Sequence, residues 1–235
     1  TFTRNTEDLV VWQDPLYPHD FPSIFLPRNP KNWERASMSM VTQEDVIAVE
    51  AASIEIATRT KTETEFFYET SAFLASSDIT ERANQFKRLY EFEVVDHHSK
   101  EALVEFFNLW EKQKDREQDD LYEKESRGLF FFCLEHLDEY KIQQVYVLVD
   151  GKLAGFAWGV CHPNGGWVGL HLKVDYAYKG LSRFLHVQRA RMFESEKRFS
   201  LGTGCKEPGL IQFKRELHPI EERQYFYLFT REKKE

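Results

Sequence analysis

The stretch Val145–Thr230 decides the fold, and it opens with VYVLVDGKLAGFAWGV (145–160). Two short apolar runs meet there at Asp150-Gly151, a dipeptide that predicts a β-hairpin because both central positions of a primed turn need φ > 0. GWVGLHLKVD (166–175) supplies a third strand, and Gly180 opens the helical pattern YKGLSRFLHVQRARMF (178–193). After FSLG (199–202), the segment EPGLIQFKREL (207–217) reads as a short helix closed by Pro219, and YFYLFT (225–230) as a last strand.

Working outward, EFEVVD (91–96) reads as a strand preceded by a helix, ITERANQFKRLY (79–90), with Asp78 and Glu81 spaced as a capping pair. Ser99 is placed to cap a second helix whose Leu103, Phe106, Phe107 and Trp110 recur on one face. A third helix over 121–140 buries Leu129, Phe130, Cys133, Leu134 and Leu137, after the charged run EKQKDREQDD (111–120). Further upstream, DVIAVEAASIEIATRTKTETEFFYE (45–69) alternates apolar and polar residues and reads as strands with one wet face. The Pro-rich run DPLYPHDFPSIFLPRNP (14–30) reads as an irregular surface segment.

The two halves differ in composition. All 11 glycines lie at or after Gly128, whereas five of the 8 prolines fall between Pro15 and Pro30. The division expected is an abbreviated strand-rich subdomain over 1–70 and a larger α/β domain over 71–235. In the larger part, two helices precede a three-strand meander, and a helix then crosses over to the next strand. That crossover favours a parallel pair whose splayed ends open a cleft.

With 235 residues, 42% hydrophobic and 15% aromatic, the chain has enough apolar surface for a packed core. A net charge of −8 excludes a protein that coats nucleic acid by bulk electrostatics, while leaving room for a local basic site. Apolar runs fall short of the roughly 18 residues of a spanning helix. Cys133, Cys161 and Cys205 are odd in number and lack metal-ligand spacing, so neither a metal nor a disulfide framework is expected. Thiols kept in a reducing compartment make the cytoplasm the default location.

The order of elements, with a glycine opening the crossover helix, resembles the GNAT acyltransferase superfamily. ITERANQFKR (79–88), VDGKLAGFAWG (149–159), LHLKVDYAYKGL (170–181) and LGTGCKEPGLIQFKRELHP (201–219) carry a closer resemblance. It is to soluble relatives of the C-terminal domain of phosphatidylglycerol lysyltransferases, which are similar in turn to the Fem-type peptidyltransferases. The resemblance covers the chain from about Phe66 onward. It implies an α/β fold with a GNAT-like mixed twisted sheet flanked by helices, the first of two tandem units being abbreviated. It also implies acyl transfer to an amine or hydroxyl of a small molecule or peptide, with aminoacyl-tRNA or acyl-CoA as donor. Typical acetyl-CoA users carry Gln/Arg-x-x-Gly-x-Gly/Ala, and only Gly180 of Ala177, Gly180 and Ser182 matches that pattern. An acetyl-CoA-dependent N-acetyltransferase, or a non-catalytic binding protein that kept the fold, therefore stand beside aminoacyl transfer.

Acyl transfer needs a deprotonated nucleophile, a polarised carbonyl and a protonated leaving group. In this fold, the backbone where the third meander strand bends serves the carbonyl, which puts the centre beside Leu170–Lys173. His171 lies on the strand face opposite Val168, Leu170, Leu172 and Val174, as a base or hydrogen-bond partner, or as a histidine packed under a helix. Tyr178 is a candidate proton donor, or a packing residue beside the cleft. Lys179, Gly180, Leu181, Ser182 and Arg183 open the crossover helix and are the candidate donor-binding set, since a helix N-terminus attracts anions. By resemblance, Phe213 and Lys214 inherit a substrate-binding and charge-stabilising role; the competing reading of Lys214 is a surface lysine. Lys179, Arg183 and Arg189, with Lys206, Arg82, Lys87 and Arg88, make a phosphate-binding patch suited to a tRNA acceptor end or a phosphorylated small molecule if they converge; scattered surface charges are the competing reading.

Overall fold

The computed structural model describes residues 2–4, 10–12, 37–113, 121–162, 165–204 and 207–231. The Pro-rich run, Cys205, Lys206 and most of the charged run 111–120 lie outside them. The fold is mixed α/β. It packs as two units, one of Thr1–Phe67 with Ser200–Glu235 and the other of Tyr68–Phe199. The C-terminal residues, expected in a domain over 71–235, thus group with the N-terminal strands because the last strand pairs there.

In the first unit, β1 (Phe2–Arg4) and β2 (Val10–Trp12) form a separate antiparallel pair. β3 (Ser37–Val41), β4 (Glu55–Glu69), β9 (Arg198–Thr203) and β10 (Glu221–Arg231) follow the order β3-β10-β4-β9. β10 is antiparallel to both β3 and β4, with Glu221 facing Phe67 and Arg231 facing Glu55. Its core gathers Met38, Val41, Val46, Val49, Ile54, Phe226 and Leu228.

Part of the expected strand region is a helix, α1 (Gln43–Ala51). Val46, Ile47 and Val49 look strand-like because they are β-branched, but the segment is started by a capping box. Thr42 Oγ1 accepts from the Asp45 amide at 3.3 Å, and Asp45 Oδ2 accepts from the Thr42 amide at 2.9 Å. The i, i+3 pair Val46 and Val49 is then buried on one face. Only from Glu55 does the alternating pattern become strand.

The second unit holds α2 (Thr70–Ala75), α3 (Ser77–Leu89), β5 (Phe92–Val95), α4 (Lys100–Gln113) and α5 (Leu121–Glu135). β6 (Gln143–Val149), β7 (Lys152–Cys161), β8 (Trp167–Val174) and α6 (Leu181–Met192) complete it. α3 is capped by Ser76, whose Oγ accepts from the Ile79 amide, rather than by the Asp78–Glu81 pair. α4 is capped by Ser99 and buries Leu103, Phe106, Phe107 and Trp110 as the periodicity requires. The strand order is β8-β7-β6-β5, every pair antiparallel. Asp150 (φ 50°) and Gly151 (φ 71°) make the primed turn between β6 and β7.

Aromatic side chains fill this unit in two stacks. Phe193, Trp167, Phe199 and Tyr68 lie face to face in sequence, with centroids 4.8, 4.2 and 4.9 Å apart. Phe107, Phe130 and Trp158 stack at 4.0 and 5.4 Å. α7 (Pro208–Arg215), in the first unit, begins with proline in its first turn, where a missing N–H costs nothing.

Candidate functional site

β8 is irregular at Leu170–His171, within the stretch where the resemblance implies a bend. Ala157 faces Leu172 and Gly159 faces Gly169, so β8 carries one more residue than β7 across this interval. An extra residue kinks a strand and leaves its ladder locally unpaired, a feature that re-aims groups beside active sites. α6 lies close against the same strands. A Cβ at Gly155 would meet Leu185 at 2.9 Å, one at Gly159 would meet Phe193 at 2.7 Å, and one at Gly169 would meet the Arg189 guanidinium at 2.7 Å.

Arg189 is 2% exposed. Its Nη1 donates to the carbonyls of Trp158 (3.2 Å) and His171 (3.4 Å), one on each strand at the irregularity. Nη2 lies 3.1 Å from His186 Nδ1, and Nε has no partner among the described residues. Burial pulls its pKa down to about 9, which leaves it charged at neutral pH. Sequence reasoning placed Arg189 in a surface patch and missed His186. A polar pair three residues apart inside FLHVQRA was the available signal.

His171 is buried on the other face of the strand, edge-on to Phe130 and Trp158 at 5.9 and 5.7 Å. Burial, then Lys173 and Arg189, push its pKa down to about 3, against a hydrogen bond to the Leu129 backbone. Nε2 has no partner among the described residues, so Nδ1–H is the donor to Leu129. An imidazole this hard to protonate is a poor proton acceptor at neutral pH; the packed position under α5 describes it.

Gly180, the N-cap of α6, has φ 85° and ψ −9°, the left-handed region that glycine adopts freely. α3 crosses it closely: a Cβ there would lie 3.0 Å from the Phe86 nitrogen and 3.1 Å from the Arg82 carbonyl oxygen. The turn before it is held by Asp175 Oδ1, which accepts from the Ala177 amide at 2.9 Å. No acidic residue occupies the first turn of α6, so its N-terminal dipole is not offset there. Leu181 and Arg183 are buried, Gly180 and Ser182 half-buried, and Lys179 exposed. Leu181 has no exposed side chain, and its amide already donates to the Tyr178 carbonyl at 3.3 Å.

Tyr178 is half-buried, its ring edge-on to Tyr90 at 5.2 Å, and the Tyr90 hydroxyl accepts from the Lys179 amide at 3.2 Å. Burial, then Asp175 and Asp150, raise the Tyr178 pKa, which keeps the phenol protonated as a donor must be. The basic patch does not assemble as free charge. Arg82 pairs with Asp78 at 3.3 Å and Arg88 with Glu81 at 2.7 Å, while Arg189 is interior.

In the other unit, Lys214 is 6% exposed rather than a surface lysine. Its Nζ donates to the carbonyls of Leu201 (2.6 Å) and Thr203 (2.5 Å), which flank Gly202 (φ 72°) at the end of β9. Phe213, beside it on α7, is half-buried. The same unit contains a constellation that the sequence did not reveal. Glu65 is fully buried, with Oε2 accepting from the Tyr225 hydroxyl at 2.6 Å and Oε1 from Ser200. Tyr225 is driven well above the ordinary phenol range by burial and by the Glu65 charge. A carboxylate inside the apolar run EFFYE was the only hint, since its partners are 135 and 160 residues away.

Among the described residues there is no cluster of three or more His, Cys, Asp or Glu placed to hold a metal, and no helix long and apolar enough to cross a membrane. Two open hollows lie along α7 (Pro208, Ile211, Gln212, Arg215, Glu216) and along α4 (Lys100, Glu101, Val104, Glu105, Asn108), apart from His171, Tyr178 and Gly180.

No family model matches the chain, and no curated protein matches it by sequence. Solved structures do. A conserved protein of unknown function from Bacteroides thetaiotaomicron superposes with TM-score 0.74 at 16% identity, over 85% of this chain and 71% of its own. The C-terminal domain of an assigned lysylphosphatidylglycerol synthetase from Agrobacterium fabrum gives 0.61 at 15%, over 83% and 67%. L-PGS from Bacillus licheniformis gives 0.60 at 15%, over 82% and 67%. At these identities the likeness is one of fold. The fold is the one these structures share, the lysylphosphatidylglycerol synthetase C-terminal domain among them.

Proposed function

We propose that the chain is an acyltransferase that moves an aminoacyl group from aminoacyl-tRNA to an amine or hydroxyl of a small molecule or peptide. The observation that carries this reading is the extra residue of β8 at Leu170–His171, followed along the chain by the Gly180-opened helix α6. The bent strand is where backbone amides polarise the donor carbonyl, and the first amides of α6 are a place for a donor phosphate. In this reading the incoming nucleophile attacks the donor carbonyl, amides of Leu170–Lys173 hold the oxyanion, Tyr178 gives its proton to the departing oxygen as the acyl–oxygen bond breaks, and the phenolate is reprotonated by the proton the nucleophile sheds.

His171 holds the strand from beneath and takes no proton. Lys179 supplies local positive charge beside the α6 terminus, where Arg82 is already shared with Asp78, and Ser182 and Arg183 contribute amides. Lys206 is retained as a substrate contact from its positive charge in the sequence alone. Lys214 and Phe213 act by fixing the end of β9, so that the lysine works through backbone carbonyls. The unpaired thiols Cys133 and Cys161 fit a reducing, cytoplasmic setting.

Aminoacyl-tRNA is preferred over acetyl-CoA because Ala177 and Ser182 depart from the acetyl-CoA loop pattern. Thermal-shift measurement with CoA, acetyl-CoA and a non-hydrolysable aminoacyl-tRNA analogue decides between donors. The analogue alone should raise Tm. Stabilisation by CoA instead would make this an acetyl-CoA enzyme, and silence with every donor would leave a binding protein that kept the fold.

A further inference from the structure

We infer that Arg189 is a positioning residue that latches the β8 irregularity, keeping the strand bent for the carbonyl-polarising amides without touching substrate. Three observations meet at this side chain. Its two carbonyl acceptors, Trp158 on β7 and His171 on β8, sit on opposite sides of the one-residue offset. Gly169 borders the same offset and leaves the space that the guanidinium fills. Arg189 is almost fully buried, and among the described residues its acceptors are these carbonyls and a histidine nitrogen, not a carboxylate.

A buried cation without a carboxylate is expensive and persists where it does something that an apolar residue cannot. Here Nη1 gives its two N–H groups to one carbonyl on each strand within the offset, while Nη2 faces His186 and fixes the plane of the group. Without them the two carbonyls would lose these donors, and the strand would gain by sliding back into regular register. Lysine would supply the charge but not the fixed fork.

The link from latch to rate rests on the acyl-transfer reading; the latch itself does not. Amide hydrogen exchange is measured on the intact wild-type chain and on Arg189→Met and Arg189→Lys, with kcat and KM for aminoacyl transfer on the same samples. Arg189→Met should speed exchange about tenfold or more in residues 157–160 and 168–173, with α3 and α4 unchanged. Its kcat should fall about a hundredfold at constant KM, the cost of a small misplacement at the reacting centre. Arg189→Lys should recover part of both.

Exchange that rises evenly across the Tyr68–Phe199 unit would overturn the latch and leave Arg189 as ordinary packing. Local exchange with unchanged kcat would overturn its link to chemistry. If the wild type transfers nothing from any donor, the acyl-transfer reading fails by itself, and the exchange pattern still decides the latch. Should Arg189→Met not fold, Gly169→Ala, which crowds the guanidinium, is read in its place by the same exchange pattern.

Discussion

Gly169 stands directly against Arg189: a Cβ on residue 169 would lie 2.7 Å from the guanidinium carbon and 2.8 Å from each terminal nitrogen. The smallest side chain on one strand and the longest cation on the facing helix are complementary parts of one arrangement. Gly169→Ala should therefore destabilise the protein by about 1–3 kcal/mol, the usual cost of overpacking. The loss should be smaller in an Arg189→Met background. Denaturant melts of the four-variant cycle check this, and strictly additive losses would show that the two residues are not coupled.

His171 makes stability pH-dependent with a definite sign. Its folded pKa is depressed to about 3, while an unfolded histidine titrates near 6.5. Below about pH 6.5 the unfolded chain takes up a proton that the folded chain refuses. The stability contributed is present above that pH and is lost as pH falls toward 3. Urea melts at pH 7 and pH 4.5 should show a larger drop for wild type than for His171→Gln; equal drops would mean that the imidazole is protonated in the folded state.

Lys214 should prove to be a stability residue. Lys214→Met keeps most of the stem but leaves the Leu201 and Thr203 carbonyls short of a donor, at about 1–3 kcal/mol. A Tm unchanged from wild type would return Lys214 to the status of a surface side chain.

Tyr225→Phe deletes a hydroxyl donor to the buried Glu65 carboxylate, which also accepts from Ser200. About 1–3 kcal/mol should be lost. Wild type should also weaken above about pH 10, where unfolded tyrosine ionises, because the folded phenol is held protonated. The variant should lack that alkaline loss, and an identical alkaline profile would contradict the assignment.

Tyr178→Phe addresses the chemistry. A proton donor to the leaving group contributes about a hundredfold or more, so kcat should fall by that order at little cost in Tm or KM. Wild-type turnover in this variant would remove Tyr178 from the mechanism.

What the sequence determined by itself was local. Asp150-Gly151 specifies a primed turn, Gly180 a left-handed N-cap, Ser99 a cap, and Leu103, Phe106, Phe107 and Trp110 one helix face. Each depends on residues only a few positions apart, so each is written in the order of the chain. α1 escaped because its β-branched residues suit either period, and the Thr42–Asp45 cap settled the matter.

Tertiary structure decided everything that joins distant residues. The register offset in β8 depends on which residue of β7 faces it, and no composition of GWVGLHLKVD announces an extra residue. Arg189 and Lys214 read as surface charge because charged residues seldom lie inside, and only backbone carbonyls presented by other elements make their burial tolerable. Glu65 acquires meaning only when Ser200 and Tyr225 are brought to it. The run from Val145 to Thr230 thus specifies its strands and helix, while packing selects which polar groups within it are placed to act.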